Sequence, residues 1–534
     1  MIDTLFRGAT IHDGSGSAPR RGDVAVAAGR IVDPDPDVVG AGTRIVDADG
    51  LVLAPGFIDL HSHADCTLPA FPGAINSISQ GVTTEVVGNC GYTPAPVSPV
   101  AELANELHLQ TQAIGPDLDW SWSSFGSYLD RLDAANPAHN VVPLAGFGAL
   151  RIATMGMVDR PATPDEVAHM RAGLAEALDA GAWGMSTGLV YPPGAYAMTD
   201  EIVAVGEELR GRDALYASHI RNEADELGEA VDEAIEIGRR LGVRVEISHL
   251  KSVGLRNHGK IGRALERIDA ARAAGGRVAF DVYPYTAGST MLTQVLPPWL
   301  QDAGQDELVA RLRSPQVRAR LRQELDTGLP RFANYSAAGG GWHGIMIAAV
   351  LNPALRWAEG RTVAELAAER DLDPLEFVFE LLIEDRAATV MIIFVMDDMD
   401  VRAALANPAA GIGSDLLGVT SDTARVHPRT YGTFARILGW AARGEGPIEL
   451  AEAIHRMTGK TAAMLGLADR GRIAPGAVAD LVLFDPTRVR DTATYAEPTG
   501  LAEGIEAVLL AGDFVLDRSE VVARDRGRVL RRPA

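Results

Sequence analysis

The sequence predicts an α/β fold, a (β/α)8 TIM-like barrel with a small β-sandwich domain built from both chain ends. Three observations lead there. The middle of the chain alternates short apolar strands with amphipathic helices, and repeated βα units imply parallel strands with right-handed crossovers. The two ends share another texture, short strands separated by turns. Residues of metal-ligand type recur where strands end, and in a barrel those ends share one face. On alternation alone a doubly wound sheet fits as well.

The elements follow in order. Residues 1–56 hold TLFRGATIHDG, GDVAVAAGRIVD and TRIVDADG, which read as strands and turns. The apolar run LVLAPGFIDL then ends in HSHADC, opening a barrel assigned to residues 57–470. Side chains in a strand alternate with period two, so His61 and His63 point the same way, and Asp65 joins them wherever strand geometry persists. Imidazole is a common metal ligand, so two aimed into one cavity suggest a wall of a metal pocket. TTEVVGNC is a strand ending at Cys90, GRDALYASHI carries His219, and VRVEISHL carries His249. ELGEAVDEAIEIGRRLG and GKIGRALERIDAARAAGG read as helices, the first with Gly242 near its end. RVAFDVYPY is a further strand, and AAGIGSD ends a late one at Asp415. From about 286 to 347 the alternation breaks into an irregular insertion containing SAAGGGWHG, read as a lid with a glycine hinge. Residues 471–534, with GRIAPGAVADLVLFDP and IEAVLLAGDFVLD, return to short strands that complete the β domain.

Composition narrows the function. The chain has 534 residues, 47% hydrophobic and 22% charged, which is ordinary for a globular protein. A formal charge of −22 argues against nucleic acid as a partner, because phosphate-backbone binding needs a basic surface. Two cysteines, Cys66 and Cys90, exclude a disulfide scaffold and favour a reducing setting. MIDTLFRGAT has no signal-peptide pattern, and the apolar run VMIIFVM at 390–396 is far short of the roughly 18 residues of a membrane span. A cytoplasmic protein without membrane partners is therefore expected. Oligomeric state is not legible.

His61, His63, Cys90, His219, His249 and Asp415 share strand-end positions. Catalytic residues in barrels come from the C-terminal ends of several strands, so the joint pattern predicts a metallohydrolase site. GMSTG at 184–188 matches the GxSxG elbow of serine hydrolases, but Pro192 and Pro193 follow and block the helix that motif needs.

APGFIDLHSHAD, TTEVVGNCGYTPAP, STGLVYPPGAYA, YASHIRNE, EISHLKSVGLRNHGK, DVYPYTAGST, GSD and HPRTYGTFARILG together resemble the N-acyl-D-amino acid deacylases (D-aminoacylases) of the amidohydrolase superfamily. The resemblance covers nearly the whole chain. It implies a zinc ion held tightly by Cys90, His219 and His249, and a second, weaker site at His61, His63 and Asp415. It implies zinc-bound hydroxide as the nucleophile, with Asp415 as general base and then acid. The substrate, a small N-acyl-D-amino acid, would meet Arg429 of HPR, with Lys251, Tyr283, Ser289 and Tyr191 at other substrate-binding positions. Planar guanidinium suits a carboxylate. The segment GSDLLGVTSDTARVHPR lacks the glycine the family often shows after GSD, which leaves the amino-acid preference open. Two alternatives stay open: another amidohydrolase acting on cyclic amides or on substrates without an α-carboxylate, and a non-catalytic scaffold of the same fold. AGAWGMSTGLVY has no lysine to bridge two metals as hydantoinases do, and every candidate ligand of the catalytic reading is present.

Overall fold

The computed structural model describes residues 2–34, 39–112, 118–329, 332–419 and 425–533. Eight parallel strands form the barrel: β1 (Phe57–Asp59), β2 (Val82–Val87), β3 (Asn140–Pro143, continued by Ala145–Gly146), β4 (Gly184–Gly188), β5 (Leu215–His219), β6 (Arg244–Ile247), β7 (Val278–Val282) and β8 (Ala410–Ile412). Each pairs with the next in parallel register. Leu60 N donates to Ile412 O at 3.1 Å, and Ser62–His63 pairs with Leu416–Leu417, which closes the ring. The strands are nearly continuous runs of buried residues, as expected where helices cover a parallel sheet.

The helices form where the apolar spacing placed them. Leu227–Leu241 buries Leu227, Val231, Ala234, Ile237 and Leu241, one stripe at helical period, and ends on Gly242 at φ +70°, a left-handed cap glycine adopts without strain. Ile261–Ala273 buries Ile261, Ala264, Leu265 and Ile268 in the same way.

The chain ends meet in one nine-stranded sheet. Val52–Pro55 pairs antiparallel with Leu481–Phe484, joining the N-terminal strands to the C-terminal ones. Neither strand alternates apolar with polar residues, and the reason is two cores. Leu53, Leu481 and Leu483 face the β-domain core with Phe6, Ile11 and Val26, whereas Val52, Ala54, Val482 and Phe484 face the barrel core.

The insertion differs from the irregular segment expected at 286–347. It contains Ala287–Met291, Ile345–Ala349 and Val390–Phe394, an antiparallel sheet with the last strand in the middle. Helices Gln305–Leu312, Pro315–Thr327 and Pro374–Glu384 lie between them. The excursion from the barrel therefore runs on to Phe394. Its turns were legible, but its sheet depends on pairing Ser289 with Ile392, far away in the chain. Among the described residues no helix is long and apolar enough to cross a membrane.

Candidate metal centre and active site

The strand ends bring six side chains together at one mouth of the barrel. Cys90 Sγ lies 3.3 Å from His61 Nε2, 3.7 Å from His219 Nδ1 and 3.5 Å from His249 Nε2. Asp415 Oδ1 lies 3.5 Å from both His61 Nε2 and His63 Nε2. Three sets, Cys90–His219–His249, His61–His63–Cys90 and His61–His249–Asp415, each gather their donor atoms within 4.8 Å. Zinc–sulfur bonds of about 2.3 Å and zinc–nitrogen bonds of about 2.0–2.1 Å in a tetrahedron put sulfur roughly 3.5 Å from each nitrogen. The Cys90 contacts bracket that separation, so the donors fit zinc by chemistry and by spacing. Sulfur is within reach of both the His219–His249 side and the His61–His63 side.

Asp65 does not join the cluster. The strand stops at His63 and a 3-10 turn over Ala64–Cys66 takes over, so period two ends there.

The backbone is strained where it presents these groups. Cys90 at φ +54°, His249 at +36° and Asp415 at +52° hold left-handed conformations, which cost about 1–3 kcal/mol each in a non-glycine residue. Flanking groups hold the Cys90 turn. Gly88 and Gly91 also have positive φ, and a Cβ on Gly88 would collide with Leu144 O. Ser186 Oγ donates to Gly88 O and accepts from Gly91 N at 2.9 Å, and its residue is fully buried. Ser186 thus buttresses the turn that carries Cys90. Ser186→Ala is expected to keep the turnover rate within a few-fold while lowering folding stability by about 1–2 kcal/mol, read from a denaturant titration. A loss of several decades in rate with stability intact would restore the serine-nucleophile reading.

Electrostatics prepare the donors. Burial pushes His219 and His249 well below the ordinary histidine value, and His63 below it, so all three are neutral at pH 7 with a lone pair to give. Burial, aided by the Asp415 charge, pushes the Cys90 thiol up. Asp415 goes the other way. Burial alone would raise it, but the Arg429 guanidinium beside it outweighs that and holds it ionised well below the usual carboxylate range. Arg429 Nη1 lies 2.7 Å from Asp415 Oδ2. Arg429 begins the helix Arg429–Arg443, where a cation opposes the helix dipole, and Asp415 offsets that.

The substrate-side residues Tyr191, Lys251, Tyr283 and Ser289 line the same open cavity. Arg429 lies just behind it, its guanidinium 4.8 Å from the Tyr283 ring centre. Tyr283 Oη and Arg429 Nε are buried without a hydrogen bond. Ser289 Oγ donates to Met391 O at 3.0 Å, and its own carbonyl accepts from Arg429 Nη2 at 3.3 Å. Tyr191 Oη accepts from Thr290 Oγ1 at 3.1 Å, and its ring meets His219 edge-on at 4.7 Å. Of the altered loop 416–426, residues 420–424 lie outside the described residues.

Residue patterns missed three supporting groups. Asp281 Oδ2 accepts from His61 Nδ1 at 3.1 Å. His427 Nε2 donates to Ala287 O at 3.0 Å, and its Nδ1 accepts from Arg429 N at 3.0 Å, which fixes the start of the Arg429 helix. Glu223 stands behind two imidazoles. A signal existed for the first: Asp281 is a carboxylate in the middle of the apolar strand RVAFDV.

A closed eight-stranded barrel with neutral histidines, a thiol and an ionised aspartate at the strand ends has the makeup of a metal-dependent amidohydrolase. Residues 44–516 match the amidohydrolase family. An N-acyl-D-aspartate deacylase of Alcaligenes xylosoxydans xylosoxydans is 40% identical, across 99% of this chain and 95% of that protein. A D-aminoacylase of the same organism is 38% identical across 100% and 98%. The crystal structure of an N-acyl-D-glutamate deacylase from Bordetella bronchiseptica, complexed with zinc and a phosphonate inhibitor, aligns with a TM-score of 0.84 at 34% identity over 99% of both chains. The chain belongs to the amidohydrolase family, in its branch of N-acyl-D-amino acid deacylases.

Proposed function

We propose that this protein hydrolyses the amide bond of N-acyl-D-amino acids, releasing a carboxylate and a free D-amino acid, with zinc held by Cys90, His219 and His249. The observation that carries this is one cavity lined by a zinc-type donor set, an ionised Asp415 and the cation Lys251, with Arg429 paired to Asp415 behind it. The chemistry a zinc ion supplies there is Lewis acidity, which makes water acidic enough to attack at neutral pH and polarises the carbonyl. Asp415 accepts the proton of the attacking water at a carboxylate oxygen and returns it to the leaving nitrogen. Lys251 and Tyr283 face the cavity to orient the α-carboxylate, with Arg429 behind them. Tyr191 and Ser289 complete the wall. His61, His63 and Asp415 would hold a second, weaker ion. The insertion supports a covering role, since Ser289, Tyr335 and Ile393 roof the cavity. Two free thiols suit a cytoplasmic setting.

The side chain accepted is apolar in this reading. Val253, Met291, Tyr335, Ile393, Val395 and Leu417 face the cavity. Among the described residues lining the cavity the cation is Lys251, with Arg429 behind it, and both are assigned to the α-carboxylate. An acidic side chain would have no further cation, and an unpaired buried charge costs about 3 kcal/mol or more. N-acetyl-D-methionine with zinc supplied is therefore expected to turn over at least about 100-fold faster, as kcat/KM, than N-acetyl-D-aspartate, with N-acetyl-L-methionine inert. Preference for the aspartate would overturn the apolar assignment. Equal turnover of both methionine enantiomers would overturn the D-selectivity, and turnover of none would overturn the deacylase reading.

A further inference from the structure

Glu223 is buried four residues after His219 and lines the active-site cavity. Its carboxylate stands behind the two imidazoles. Oε1 lies 3.1 Å from His249 Nδ1, and Oε2 lies 3.6 Å from His219 Nε2. The nitrogens facing the Cys90 sulfur are the opposite ones, His249 Nε2 and His219 Nδ1. His219 Nε2 is buried and makes no hydrogen bond, and Oε2 is the carboxylate oxygen held toward it. Lys251 Nζ donates to Oε1 at 2.6 Å and also lies 2.7 Å from His249 Nδ1. The backbone repeats the tie, since Val253 N donates to Glu223 O at 2.7 Å and links the loop after β5 to the loop after β6.

Proton placement makes this arrangement matter. A neutral imidazole that gives Nε2 to a metal carries its proton on Nδ1 and must donate there. The Lys251 ammonium is a donor only. Once His249 holds a metal, Nδ1 and Nζ therefore both need an acceptor, and Glu223 Oε1 is within reach of both. The same carboxylate faces the outer nitrogen of His219. Asp281 backs His61 in the same way at 3.1 Å, so carboxylate support recurs in this site.

We propose that Glu223 is a positioning residue that orients His219 and His249 for the metal and ties occupancy of that site to the place of the Lys251 ammonium. The second half rests on the assignment of Lys251 to the substrate carboxylate. Groups that orient metal-binding histidines typically carry 10–100-fold in metal affinity.

The test uses the full-length protein stripped of metal, with zinc affinity read by competition against a chromophoric chelator and the site's geometry read from the cobalt(II) absorption spectrum. Glu223→Gln is expected to weaken zinc about 10–100-fold and to alter the cobalt bands. At saturating zinc it is also expected to raise KM for N-acetyl-D-methionine more than it lowers kcat. Lys251→Met is expected to raise KM and, because the tie is reciprocal, to tighten zinc by more than about threefold, since the ammonium no longer competes for Glu223 Oε1. Glu223→Asp keeps the charge but shortens the reach, so its affinity falls between parent and Gln variant. Should the Gln variant fail to fold, the Asp variant decides by the same readouts. Zinc affinity unchanged in both Glu223 variants overturns the positioning role, and unchanged affinity in Lys251→Met overturns the tie. Weakened zinc with unchanged KM overturns the tie to Lys251 alone. If the parent shows no deacylase activity, the deacylase reading fails, and the zinc and cobalt readouts still decide the first half.

Discussion

Asp415→Asn is expected to lower kcat on N-acetyl-D-methionine by about 10²–10⁴-fold, the usual worth of a positioned acid–base group. The substitution keeps shape and removes the charge. In the parent, Arg429 at 2.7 Å holds the carboxylate ionised despite its burial. The amide cannot take a proton from water or return one to the leaving nitrogen. Zinc bound through Cys90, His219 and His249 is expected to stay within about threefold, because Asp415 is not in that set. The variant also leaves Arg429 buried without its anion, and breaking such a pair costs roughly 3 kcal/mol. The Ser289 carbonyl and the Tyr283 ring soften that loss. Pre-steady-state kinetics with zinc saturating separates the two effects. A kcat within tenfold of the parent would assign the proton transfer elsewhere.

Cys90→Ala is expected to weaken zinc by about 10²–10³-fold. Structural zinc sites are worth about 10–16 kcal/mol over four ligands, so one ligand carries roughly 3 kcal/mol. The pH dependence is more specific. The thiol is pushed up by burial, whereas His219 and His249 are pushed down and are already neutral. Zinc binding must then release a proton from Cys90, to which a bound water adds a second above about pH 7. Affinity in the parent is expected to rise at least about tenfold per pH unit from 6.5 to 8.5, and Cys90→Ala is expected to lower that slope by about one decade per unit. Calorimetry in buffers of different ionisation enthalpy counts the proton directly. A flat profile in the parent would show that Cys90 is not displaced from its proton, and so is not a ligand.

Sequence and tertiary structure divide this protein along a physical line. The residue pattern alone placed His219 and His249 at equivalent strand ends, because each lies at the end of a short apolar run with a helix between them. The match of TTEVVGNC to a strand turning at Cys90, and of the long helix ending at Gly242, came from periods of two and 3.6 residues that act over a few residues. Such local rules made the barrel and its ring of donors legible. They could not reach contacts between residues distant in the chain. Asp281 supports His61 from 220 residues away, and Arg429 holds Asp415 by a pair that depends on where a helix starts. The insertion's sheet joins Ala287–Met291 to Val390–Phe394, and the β domain joins strands from both chain ends. The left-handed backbone at Cys90, His249 and Asp415 was equally invisible, since Asp and His enter that region more often than most residues but only in a small minority of cases. Sequence by itself determined which chemical groups reach the mouth of the barrel. Only the tertiary structure decided which nitrogen of each histidine faces the sulfur and which faces a carboxylate, because that choice is made by partners brought together in folding.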